Sequence, residues 1–119
     1  MLLATRAQLE VFRALAERGF VERLLRHLRT RFAMQFAGAS DANLREVIQS
    51  CRRKAESHHI LLEDDIRRFI ECAITHGMSL DTTAATAWIG EILRRHDLSG
   101  TQKMDVIDSL ELQRIRAQR

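Results

Sequence analysis

The 119-residue chain has no proline, no tyrosine, five glycines, two cysteines and one tryptophan. Each scarcity excludes something. With no proline and so few glycines, little interrupts helices, and the runs of Val, Thr and aromatic residues that announce strands do not occur. Two cysteines, Cys51 and Cys72, make a poor disulfide framework, and their spacing fits no zinc motif. Both fall at apolar positions of helical patterns and read as plain buried thiols, which points to a reducing compartment. No apolar run approaches the ~20 residues that span a bilayer. Met1-Leu2-Leu3-Ala4 is apolar, but Arg6 interrupts before the core of a secretion signal could form. The expectation is a soluble, cytoplasmic protein with no membrane partner.

What is present is ordinary globular composition, 45% hydrophobic and 29% charged. That suffices for one hydrophobic core and a single domain over residues 1–119. The net charge of +3 is unevenly spread. Residues 1–60 hold eleven Lys and Arg against six Asp and Glu, whereas residues 61–119 hold eight against ten. A basic first half suits an acidic partner, protein or nucleic acid, or a solvated Arg-rich face.

Periodicity predicts about five helices in an all-α, orthogonal or irregular bundle, with sequential helices as neighbours. Residues 42–57 carry Leu44, Val47, Ile48, Cys51 and Ala55 on one face, after a Gly38-Ala39-Ser40 linker in which Ser40 or Asp41 caps the helix. The central stretch, His58 to Arg95, holds two more. Glu63-Asp64-Asp65 opens the first, whose face is Ile66, Phe69, Ile70, Ala73 and Ile74. Gly77 stands where a left-handed cap is wanted, and Asp81 is the N-cap candidate of the next. That next helix shows Ala85, Trp88, Ile89, Ile92 and Leu93, with Trp88 read as a core residue. Ser99 and Gln102 form a capping box for a last helix carrying Met104, Ile107, Leu110 and Ile115, whose polar end from Gln113 should fray.

The first helix is the unusual one. Thr5 and Gln8 form a capping box, and the helix runs from about Arg6 to Arg31. Leu9, Phe12, Leu15 and Ala16 cluster on one side. Phe20, Val21, Leu24, Leu25 and Leu28 cluster on another, rotated by roughly 140° at 100° per residue. Gly19 sits at the change. Either the helix kinks or breaks there, or its halves pack against different things. In the second case the N-terminal half protrudes in part and presents Leu9, Phe12 and Leu15 to a partner, with Arg23 and Arg26 as rim charges. A homodimer could use the same face.

No pattern points to catalysis, a cofactor or a metal. The adjacent His58 and His59 point apart on a helix, unlike ligands at i and i+4. They suit a helix C-terminus, as do His76 and His96, and the acidic Glu63–Asp65 run suits a helix start. No nucleophile elbow or phosphate loop occurs. Arg23, Arg26, Arg29 and Arg52-Arg53-Lys54 could neutralise phosphates, but Glu17, Glu22, Glu46 and Glu56 interleave with them. That argues against a nucleic-acid-binding module.

Ile66–Ile70, Gly77, Leu80-Asp81-Thr82, Trp88 and Glu91-Ile92-Leu93 together resemble a family of small bacterial proteins encoded beside type VI secretion effectors and their PAAR tip proteins. The chain carries Thr83 where the family pattern has a second Asp and Ala87 where it has Pro. The resemblance implies a non-enzymatic adaptor or co-chaperone whose partner is an effector, a PAAR protein or a larger chaperone. An immunity protein that blocks a toxin is one alternative, and a basic helical nucleic-acid-binding module is the other.

Overall fold

The computed structural model describes residues 5–118; Met1-Leu2-Leu3-Ala4 and Arg119 lie outside the described residues. The architecture is all-α. Among the described residues five α-helices follow in order: α1 (Arg6–Arg31), α2 (Asp41–Ser57), α3 (Glu63–His76), α4 (Ala87–Leu93) and α5 (Gly100–Ala117). A 3-10 turn at Ala84–Thr86 leads into α4, and there is no strand among the described residues. The chain divides into two compact units, one ending at Gln49 and one beginning at Ser50, so the boundary falls within α2.

The helix starts are set by local chemistry. Thr5 and Ser99 each accept from the N–H three residues on, while Gln8 and Gln102 accept in return from the cap N–H. These reciprocal bonds satisfy donors that a helix leaves orphaned at its first turn. At α2, Ser40 Oγ accepts from the Asn43 N–H at 3.1 Å, so Ser40 is the cap and Asp41 lies in the first turn.

In the first unit, α1 passes through Gly19 without a break. An isolated glycine costs a helix only about 1 kcal/mol, and without proline nothing else there opposes helical bonding. The second half of α1 buries Phe20, Val21, Leu24, Leu25 and Leu28. Turns at 32–38 follow it. Arg29 closes this connection, donating to the Phe36 and Ala39 carbonyls at 2.6 Å and to the Asp41 carboxylate at 2.7 Å. Phe32 and Phe36 meet edge to face, with centroids 6.3 Å apart. Glu22 and Arg45 join α1 to α2 at 2.8 Å.

In the second unit, α3 and α4 both pack on α5. The end of α2 explains how. His59 has a left-handed backbone (φ 63°) at the position that usually takes glycine. The Ile60 N–H then bonds the Ala55 carbonyl and the His59 N–H bonds the Glu56 carbonyl, and buried Ile60 folds back over buried Ala55. The start of α5 sits against this turn. A Cβ at Gly100 would lie 2.6 Å from the His59 carbonyl oxygen, so only glycine allows the approach. One turn later, buried Lys103 donates to the His58 carbonyl at 2.7 Å. Lys103 thus places its ammonium at the negative end of α2, which is what makes a buried lysine tolerable there. Burial lowers its pKa. Ile66, Phe69, Ile70, Leu80, Ile89, Leu93, Met104 and Ile107 fill the interior.

Three expectations need correction here. Asp81 does not cap a helix; α4 begins at Ala87, and the Asp81 carboxylate instead receives Lys54 Nζ at 3.0 Å and His58 Nε2 at 3.2 Å. Two cationic or hydrogen-bonding partners offer a carboxylate more than free backbone N–H groups do. Trp88 is half-buried and not a core residue, and Ala85 is exposed, because α4 is only seven residues long and turns a narrow face inward. The end of α5 does not fray at Gln113. It stays helical to Ala117, and the Arg114 guanidinium lies 5.0 Å from the Trp88 ring centroid, a cation–π contact.

Candidate protein-binding surface

The first half of α1 buries nothing: every residue from Thr5 to Arg18 is exposed. It is nonetheless rich in large apolar side chains. Leu9 is 49% exposed, Phe12 62% and Leu15 56%. Val11, at 56%, widens the patch and was not singled out by the sequence pattern, although its helical angle places it beside Leu15. Burial begins abruptly at Phe20. Soluble proteins expose single apolar side chains freely, but a contiguous group on one helical face marks an interaction surface.

The five residues expected to bind a partner are thus all placed on one helix and are all exposed, Arg23 and Arg26 included. Gly19 lies between the apolar and the basic members. A Cβ built there would meet only the tip of the Arg23 side chain, at 3.2 Å. Glu22 is drawn away to Arg45, whose guanidinium holds the Glu22 carboxyl below its ordinary pKa.

The polar clusters of the second unit have structural explanations. Arg68 bridges α3 and α5, meeting Asp65 at 3.1 Å, Asp105 at 2.8 Å and Asp108 at 2.7 Å. Burial opposes its charge, but the bonds to Asp108 and Asp105 outweigh this and raise its pKa. Asp65 is buried and also accepts from Thr101 Oγ1. The Glu63–Asp65 run occupies the first turn of α3, as its charge favours. Asp81 is partly buried, which disfavours its charge, yet the bonds from Lys54 and His58 hold its carboxyl below the usual range. His76, in the last turn of α3, bonds Glu111 at 2.6 Å and stands edge-on to Trp88.

Both thiols are free. Burial pushes Cys51 up to about 11 and, helped by Glu111 and Asp108, Cys72 to about 12, so neither offers a thiolate at neutral pH. Among the described residues no three His, Cys, Asp or Glu side chains converge as metal ligands would, and no helix is long and apolar enough to cross a membrane. A shallow depression of about 390 Å³ beside Trp88 is lined by Leu110, Gln113, Arg114 and Ala117 and brings no acid, base or nucleophile together.

No family model, curated protein or solved structure matches this chain. The geometry of α1 therefore carries the functional reading.

Proposed function

We propose that the protein is a non-enzymatic adaptor or co-chaperone that binds, in the cytoplasm, an apolar segment of a type VI secretion effector, its PAAR protein or its larger chaperone before delivery. One observation carries the binding role: Leu9, Phe12 and Leu15 stand exposed on a helix whose other half is buried in its own unit. Holding such a stripe in water has a cost that a partner removes, at about 25 cal/mol per Å² of apolar surface covered. The class of client rests on the resemblance over residues 66–93.

The test is a tagged pull-down at moderate salt, with wild type beside the double variant Phe12→Asp/Leu15→Asp. Wild type should enrich an effector, a PAAR protein or a larger chaperone, and the variant should lose it. Recovery of the same proteins by both would remove the stripe from the reading. Co-expression with the recovered toxin separates the alternative: an adaptor leaves toxicity intact, whereas an immunity protein abolishes it.

A further inference from the structure

Gly77, at a positive φ of 98°, ends α3 and turns the chain into the 77–83 connection. Within the second unit this connection lies against the end of α2. Lys54 Nζ donates to the Met78 carbonyl at 2.8 Å and to the Asp81 carboxylate at 3.0 Å, and Leu80 between them is buried. These ties hold the main chain. The Met78 side chain makes a contact of another kind. Its Sδ lies 3.3 Å from Cys51 Sγ, where the thiol donates a weak S–H bond to the thioether. The two sulfurs differ in access, because Met78 is 41% exposed and Cys51 only 1%. A reagent in solution therefore meets the thioether before the thiol. The other two methionines among the described residues are differently placed: Met34 is 91% exposed and has little surface against the protein, while Met104 is fully buried.

We infer that Met78 is an oxidation-sensitive cover for the Cys51 thiol: a hydroperoxide converts its thioether to the sulfoxide, the side chain leaves the thiol, and Cys51 is laid open. This is independent of α1 and of the adaptor reading. With hydrogen peroxide, the Met78 sulfur gives an electron pair to one peroxide oxygen. An S–O bond forms, the O–O bond breaks, and the second oxygen departs as water. The product is polar and chiral, and its oxygen is a strong acceptor that burial against an apolar wall would leave short of partners. It turns to water. The main chain stays where it is, because the Lys54 bonds go to the Met78 carbonyl and to Asp81 and not to the thioether. The change is thus confined to one side chain and the thiol beneath it. Burial holds the Cys51 thiol up at about 11, and hydration moves it back toward the ordinary 9.0. Uncovering therefore raises both access and the share of reactive thiolate. Methionine sulfoxide reductases reverse the step, the oxygen leaving as water while a dithiol becomes a disulfide. Cys72 feels the Glu111 and Asp108 carboxylates of α5 and is the internal reference for general unfolding.

The experiment treats the full chain with hydrogen peroxide, removes the peroxide with catalase, and then adds iodoacetamide. Peptide mass spectrometry reads sulfoxide at each methionine and alkylation at each cysteine. Met34 and Met78 should oxidise and Met104 should not. Oxidised protein should alkylate at Cys51 at least about tenfold faster than untreated protein, with Cys72 unchanged, as expected of a local opening. Methionine sulfoxide reductases A and B with dithiothreitol should restore the slow rate. Met78→Leu keeps an apolar cover without the sulfur, and in it peroxide should leave the Cys51 rate unchanged, whereas Met34→Leu should respond like wild type. Met78→Gln puts a polar group there without any oxidant and should react at Cys51 as fast as the oxidised wild type. A Cys51 rate indifferent to Met78 sulfoxide would overturn the inference. So would the same acceleration in Met78→Leu, which would place the sensitive group elsewhere. Equal acceleration at Cys72 would mean general unfolding and would also overturn it.

Discussion

Phe12 and Phe69 are the same side chain on two amphipathic helices, one 62% exposed and the other 1%. Around Phe69, α3 finds α5 and a set of buried aliphatic side chains; around Phe12, α1 offers a comparable stripe that its own unit leaves exposed. The second unit uses its apolar face for stability and ties Asp65, Arg68, Asp81 and Lys103 to structural partners. The first half of α1 spends residues of the same kind without gaining stability from them. Apolar periodicity alone therefore does not distinguish a core from a docking face. The difference lies in whether the chain supplies the second surface.

The largest effect should come from truncating the two phenylalanines in parallel. Phe69→Ala should cost about 3–5 kcal/mol in urea unfolding, the range for emptying a buried aromatic site. Phe12→Ala should stay within about 0.5 kcal/mol. A large loss at Phe12 would make the stripe part of the fold and erase the contrast.

Asp81 tests the second unit's polar ties. Asp81→Asn should cost about 2 kcal/mol near pH 7, since it weakens two charge-assisted bonds. The folded-state pKa of Asp81 is lowered, so its contribution is present above the ordinary value of 3.8 and is lost as pH falls through the folded value. The gap between wild type and variant should therefore close on acidification below pH 3.8. A gap that stays constant down to acid unfolding would mean that the carboxylate's charge contributes nothing.

Two glycines sharpen the contrast further. Gly100→Ala drives a Cβ into the His59 carbonyl and should destabilise by about 1–3 kcal/mol. Gly19→Ala meets only a movable guanidinium and should stabilise α1 by up to about 1 kcal/mol. Melting curves with the opposite order would show that the helix needs flexibility at Gly19.

The smallest effect compares identical caps. Ser99→Ala should lower global stability by about 1 kcal/mol. Thr5→Ala removes the same hydroxyl acceptor, here of the Gln8 N–H, from a segment that buries nothing, and it should leave global stability within about 0.5 kcal/mol while speeding amide exchange at residues 8–12. Equal global losses would mean that the first half of α1 folds as one piece with the rest.

Much of this was readable in the chain because it depends on neighbours in sequence. The capping boxes at Thr5 and Ser99, the acidic start of α3 and the face change at Gly19 all follow from residues within two turns. Asp81 misled for the opposite reason. Its carboxylate chooses between backbone N–H groups nearby and side chains 23 and 27 residues away, and only packing decides that. Lys103 gave no signal at all, because its burial is explained by a carbonyl 45 residues earlier. Trp88 looked internal by spacing, but the helix that carries it is too short to turn it fully inward. The exposed stripe was legible as a pattern, while its state of exposure was not, since an amphipathic sequence does not say whether its complement lies in the same chain.

The first half of α1 is also where proteolysis should begin. A segment that buries nothing opens at little cost, and proteolysis tracks the population of open forms. Trypsin should cut first at Arg13 or Arg18, and a partner lying over Phe12 and Leu15 would shield both sites. Copies with that stripe covered would then outlast copies with it bare, so the amount of protein would follow the amount of whatever covers it through degradation alone.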